Sequence, residues 1–187
     1  MGPYTGGFTS RISSINVNSG SRRTVVDGLA SSQTNAGSGG FVSGVADVAF
    51  IDHQLYALMA GAGCSHGLAN TVNAILRVRD GHTRQIVNLS QFLMKNPVAH
   101  PNPGDFEPDR TWYSMVNVGD RLYAVEPNHG EVDVISPETG RIRRLIDVSA
   151  SQGHAVPTSI TFEDRTFYLG NLGVFARVLR DTQTSID

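Results

Sequence analysis

The sequence predicts an all-β chain made of repeated four-stranded antiparallel units, the architecture of a β-propeller. Three observations carry the prediction. Residues 48–56, 115–123 and 160–168 share one pattern: a short apolar run, a polar turn, then a hydrophobic residue followed by tyrosine (Leu55-Tyr56, Leu122-Tyr123, Phe167-Tyr168). Each of the first two stretches is followed by paired β-rich runs around a turn that contains Gly, which is a hairpin signature. Apolar and polar residues alternate within the runs, and nothing sustains the ~3.6-residue period of an amphipathic helix. Repetition of this kind marks propellers, solenoids and arrays.

The elements follow in order. Runs at 11–17 and 21–27 flank Asn18-Ser19-Gly20, so residues 8–30 read as the last two strands of a unit. Residues 45–93 hold a whole unit, with its second hairpin turning at Arg79-Asp80-Gly81-His82. Residues 112–150 hold another, turning at Ser136-Pro137-Glu138-Thr139-Gly140. Residues 157–180 supply the first two strands of a further unit and the start of a third. Residues 90–95, before Pro97, are the best candidate for a single helical turn, and Trp112 reads as core at the start of a strand. The two partial units sum to one more, giving about three blades, whereas a ring takes about four to eight. The expectation is therefore about three blades per chain, completed to about six by a second chain. That homodimer would exchange blade strands and so cover exposed sheet edges.

Composition narrows the function. The chain has 187 residues, 17% charged, with net charge -2, which gives no electrostatic case for nucleic acid or an anionic membrane. Arg141, Arg143 and Arg144 form a basic cluster, expected on a solvated outer strand face. Cys64 is the single cysteine, so an intrachain disulfide is excluded and the redox compartment stays undecided. No stretch is long and apolar enough to span a membrane as a helix. The first residues show no basic and apolar signal-peptide regions.

In such a unit the loop between the second and third strands and the link to the next unit lie at one end. The tight hairpins lie at the other. Here the hairpins are generic and the first set is long: 31–44, 60–73, 94–110, 126–131, 149–157 and 170–173. His66, His100, His129 and His154, four of the six histidines, fall there. Rigidly held loops carry binding residues more often than strands do, so this end is expected to hold the site. Candidate ligand-binding residues are His66, Glu107, Glu126, Asn128, His129, His154 and Asn171. Glu126 directly follows an inner strand and is expected to face an axial channel, with Asn171 in the corresponding place of the next repeat. Oxygens of Glu126, Asn128 and Asn171 around an axis suit a hard cation such as calcium, and His129 would shift the preference toward zinc. No HxxxH, CxxC or EF-hand spacing accompanies them. Glu107 and Asp109 are candidates to pair with Glu126 as acid and base. Cys64 has nothing nearby to activate a thiolate, and Ser65 lacks the nucleophile-elbow pattern.

Several of these stretches resemble the ScyD/ScyE family of β-propeller proteins, named for cyanobacterial scytonemin pigment biosynthesis. They are 38–48 (Ser-Gly-Gly-Phe-Val-Ser-Gly-Val-Ala-Asp-Val), 56–67 with Gly63-Cys64-Ser65-His66-Gly67, and 101–109 with Pro101-Asn102-Pro103-Gly104-Asp105. Glu126-Pro127-Asn128-His129-Gly130-Glu131 and Ser151-Gln152-Gly153-His154 complete the set. The resemblance runs through residues 8–173. It implies a six-bladed propeller, usually exported, and carries fold further than reaction. The chain departs from the family in lacking the first strands of the first blade and a signal peptide, and in a tail from Ala176 that leaves the pattern.

Three functional expectations follow. The first is a binding or scaffold module with a small-molecule or peptide site among the long loops. The second is a metal-assisted or acid/base enzyme acting on a small molecule at the channel mouth. The third is a truncated remnant without activity.

Overall fold

The structure, a computed structural model, describes residues 4–34, 37, 39–102, 109 and 111–173. Twelve strands run in chain order: β1 (Thr5–Ile15), β2 (Arg22–Gln33), β3 (Val45–Ile51), β4 (Gln54–Met59), β5 (Ala74–Arg79), β6 (His82–Asn88), β7 (Ser114–Val118), β8 (Arg121–Glu126), β9 (Glu131–Ser136), β10 (Arg141–Asp147), β11 (Pro157–Glu163) and β12 (Thr166–Asn171). Each pairs antiparallel with its sequence neighbour inside one of four sheets: β1-β2, β3-β4-β5-β6, β7-β8-β9-β10 and β11-β12. The expected unit at 45–93 is thus β3 to β6, and that at 112–150 is β7 to β10. The expected partial unit at 8–30 lies within β1 and β2. The one at 157–180 contains β11 and β12, and its further strand lies outside the described residues. A short helix, α1 (Leu89–Lys95), takes the place of the predicted helical turn. It starts at Asn88, whose side chain accepts from the Gln91 backbone N–H at 2.8 Å, as a helix N-cap does. A second short helix, α2 (Ser149–Gln152), follows β10.

The turn chemistry fixes the registers. Asp52 and His53 have φ 45° and 65°, Asp80 and Gly81 51° and 75°, Asp164 and Arg165 46° and 63°. Positive φ at both central residues is the two-residue type I′ turn, whose twist matches that of the flanking strands. The pairs Ile51↔Gln54, Arg79↔His82 and Glu163↔Thr166 close across these turns.

Alternation in the strands then builds the stack. In β4, Leu55, Ala57 and Met59 face the β1–β2 hairpin and pack with Ile12, Val26, Leu29 and Ala30. Tyr56, Leu58 and Ala60 face the other way, against Met115, Leu122 and Ala124 of the third sheet. In β8 the pattern repeats: Leu122 and Ala124 face back, whereas Tyr123 and Val125 face forward onto Ile160, Phe167 and Leu169. A slip of one residue would put every apolar side chain on the wrong face. The second and third sheets are therefore apolar on both faces, and the four lie face to face. Full burial of a side chain such as Leu58 or Ile75, each 0% exposed, contributes about 1.5–3 kcal/mol. Trp112 and the α1 residues Leu89 and Leu93 join the core between the second and third sheets.

The first strands of successive sheets approach one another, β3 against β7 and β7 against β11. Asp47 of β3 tethers β7, accepting from the Met115 backbone N–H at 2.7 Å. Among the described residues no helix is long and apolar enough to cross a membrane.

Candidate functional site at the loop-bearing end

The connections β2–β3, β4–β5, β6–β7, β8–β9 and β10–β11 share one end of the stack, and hydrogen bonds run between them. Two buried polar groups organise this end.

The first centres on the 3-10 turn Cys64–His66. Asp109, from the long β6–β7 connection, accepts from the Ser65 backbone N–H at 2.8 Å and from the Ser65 hydroxyl at 2.7 Å through the same Oδ2. The Asp109 carbonyl accepts from Asn73 Nδ2 at 2.8 Å, and Asn73 Oδ1 accepts from the Ala62 N–H at 2.9 Å. Gly63 is required beside this carboxylate. A Cβ there would stand 2.1 Å from Asp109 Cγ, on a backbone with φ +110°, so any side chain is excluded twice over. His66 is fully buried. Its Nδ1 shares a hydrogen bond with Ser32 Oγ at 2.8 Å, and its ring lies 4.6 Å from that of Tyr4.

Ser32 connects this group to a cavity of about 150 Å³ lined by Thr5, Gly6, Gly7, Thr9, Ser31, Gln33 and Val42 as well. The lining is rich in hydroxyls and carries no charge. Thr9 and Ser31 hydroxyls lie 2.9 Å apart.

The second group lies on the face of the third sheet that carries Leu122 and Ala124. Register places Glu126 opposite Glu131 and Ala124 opposite Asp133, so three acidic side chains share that face. All three are 0% exposed. Glu126 closes its own turn: Oε1 accepts from the Asn128 N–H at 3.2 Å and Oε2 from the His129 N–H at 2.6 Å. Glu131 forms a buried ion pair with Arg144 of β10, which also donates to the carbonyls of Asn96 and Pro97. Asp147 anchors the same connection, accepting from the Ala99 N–H at 2.8 Å and the Ser149 hydroxyl at 2.6 Å.

The carboxyls titrate in different directions. Burial pushes Asp133 well above the ordinary 3.8, and the neighbouring Glu131 and Glu126 charges push it further against the pull of Arg144. Burial also raises Glu131, opposed first by Arg144. Asp133 and Glu131 can hydrogen-bond only if one carries a proton, because two carboxylates are both acceptors. Arg144 offsets burial first at Glu131, whereas the Glu131 charge adds to burial at Asp133, so Asp133 is the one raised further. Burial pushes Asp147 up too, but the Ser149 hydroxyl, the Ala99 and Ala150 N–H groups and Arg144 outweigh it and leave its pKa lowered.

The sequence candidates divide accordingly. Glu126, Asn128 and His129 come together and are buried. His66 belongs to the other group. His154 is half-buried after α2, and Asn171 is exposed at the end of β12, paired with Pro157. Glu107 lies outside the described residues. Two expectations are corrected. Glu126 does not face an open channel, because its two oxygens cap the turn that follows it. Arg144 does not lie on a solvated face with Arg141 and Arg143: strand alternation puts it on the opposite face, across from Asp133, where it reaches Glu131. The expected cation set is split between the sealed Glu126 and the exposed Asn171. Among the described residues no group of three or more His, Cys, Asp or Glu is arranged to hold a metal ion. Asp133 and Arg144 were missing from the candidates, and Asp109, expected beside Glu126, accepts instead from Ser65. Only the two-residue spacing Glu131-Asp133 inside a strand signalled the first, since it puts both acids on one face.

The hairpin end offers a pocket of about 310 Å³ between the second and third sheets, larger than the one beside Ser32 and as open, lined by Asp52, Gln54, Tyr56, Arg77, Asp120 and Glu138 among others. It is open and mixed in charge, with Arg77 stacked over the Tyr56 ring at 5.7 Å.

The chain matches no protein-family model and no curated protein sequence.

Proposed function

We propose that the four sheets are consecutive blades of a β-propeller of the ScyD/ScyE type, and that the chain is a binding module. Its ligand is a small, uncharged, hydroxyl-bearing molecule seated at the loop-bearing end. The observation that carries the ligand reading is the uncharged, hydroxyl-lined cavity beside Ser32 and His66. Its walls are pre-positioned by the buried His66–Ser32 hydrogen bond and by Thr9–Ser31, which lowers the entropy lost on binding. The propeller reading is supported by the face-to-face stack, the mutual approach of β3, β7 and β11, and the repeated tyrosine position. Glu126, Glu131 and Asp133 are fully covered and favour no acid/base role.

Amide NMR during titration with glycerol, glucose and glycine tests this. Shifts confined to Thr5–Thr9, Ser31–Gln33 and His66 by the two hydroxyl-bearing probes, and lost in Thr9→Val, are expected. Shifts at Tyr56 and Arg77 instead would move the site to the hairpin-end pocket and sink the assignment.

A further inference from the structure

We infer that two copies of this chain assemble head to tail, with Tyr168 of one copy seated on Phe50 and Leu55 of the other. The inference rests on reading the sheets as consecutive blades. Its evidence is a contact the chain already makes internally.

The three repeats align Tyr56, Tyr123 and Tyr168 at the second strand of each sheet, facing forward. Tyr56 packs against the third sheet and is 5% exposed. Tyr123 packs against the fourth, its ring 4.6 Å from Phe167, which in turn lies 4.8 Å from Phe162. Tyr168 faces forward onto nothing described and is 56% exposed.

The backward faces tell the complementary story. Met115 and Ile160 are 5% and 8% exposed, whereas their counterpart Val48 is 42% exposed. Phe50, counterpart of Phe162, is 59% exposed and pairs with Leu55, counterpart of Phe167. The β1–β2 hairpin covers this side of the second sheet over β4, β5 and the start of β3 at Val45, and leaves Val48 and Phe50 of β3 exposed. By contrast, β11 lies over β7 and β8. One end of the stack therefore presents the tyrosine half of the contact and the other presents its aromatic seat.

Superposing Tyr123 on Tyr168, and Phe162–Phe167 on Phe50–Leu55, repeats the internal geometry between copies. It places the β11–β12 hairpin of one copy over the bare part of the other's second sheet. There the edge of β12 meets the edge of β1, each of which has one neighbour among the described strands. Pairing them covers an edge of each strand. Each copy contributes both halves, so two such interfaces close a pair.

Cysteine cross-linking tests the inference in a Cys64→Ser background. Phe50→Cys combined with Tyr168→Cys is expected to oxidise to a covalent dimer, and either single variant to remain uncross-linked. Phe50→Glu is expected to weaken the unlinked dimer at least about 30-fold, the value of about 2 kcal/mol at an interface centre. Equal cross-linking by a single variant, or one-chain mass at every concentration, overturns the proposal. A double-mutant cycle on Tyr123 and Phe167 separates the two readings. Coupling between them in a monomeric chain removes the dimer and leaves the stacked blades, whereas absent coupling removes both.

Discussion

Replacing Arg144 by methionine isolates the electrostatics of the loop-bearing end. Glu131 is 0% exposed and Arg144 21% exposed at the side chain. Methionine keeps the apolar stem and removes the cation paired with Glu131. Breaking a buried pair from one side typically costs about 3–5 kcal/mol, because the remaining charge is stranded. The partial exposure of Arg144 lets water reach the gap, so we expect the lower end, about 3 kcal/mol. Loss of its donations to Asn96 and Pro97 adds to this rather than offsetting it. Urea unfolding followed by far-UV circular dichroism measures the loss. The pH dependence has a definite sign. Without Arg144 the folded pKa of Glu131 rises further, and an acid with a raised folded pKa loses stability as pH rises through that value. The deficit of Arg144→Met must then shrink on acidification toward the ordinary glutamate range. Adding Glu131→Gln in the same chain should recover at least half of it. A loss below about 1 kcal/mol, equal at all pH values, would refute the buried-pair reasoning.

The other expectations follow from the same region. Asp133 has its pKa raised by burial and by the charges of Glu131 and Glu126, so its contribution is favourable below the ordinary 3.8 and lost as pH rises through the folded value. Asp133→Asn should accordingly stabilise the chain on the order of 1 kcal/mol at pH 7 and not at low pH, read from melting curves across pH. Asp109→Ala removes the acceptor of Ser65 N–H and hydroxyl and should cost about 1.5–3 kcal/mol, the range for hydrogen bonds to charged groups. Hydrogen exchange at Ser65 should quicken with it, and unchanged protection there would remove Asp109 as the anchor of the turn.

Much of the fold was legible because it rests on local chemistry. The Leu-Tyr repeats located the second strand of three sheets, and alternation then assigned faces without further information. Pro97 marks the stop after α1, whereas its cap, Asn88, shows only in the structure. The site was less legible, because register across strands decides which acids meet. Glu126 and Glu131 look like two loop residues until β8 and β9 pair them. Arg144 looks like the third of a surface trio until strand alternation is counted, which sets it with Ile142 on the face opposite Arg141 and Arg143, across from Asp133. Asp109 and Ser65 are 44 residues apart, and no sequence spacing joins them.

Closure of the stack into a ring is most directly tested by small-angle scattering with mass determination over a concentration series. The account predicts a flat, disc-like particle of twice 20.1 kDa whose maximum dimension does not change with concentration. A particle of single-chain mass, or one that lengthens with concentration as open head-to-tail contacts require, would contradict it.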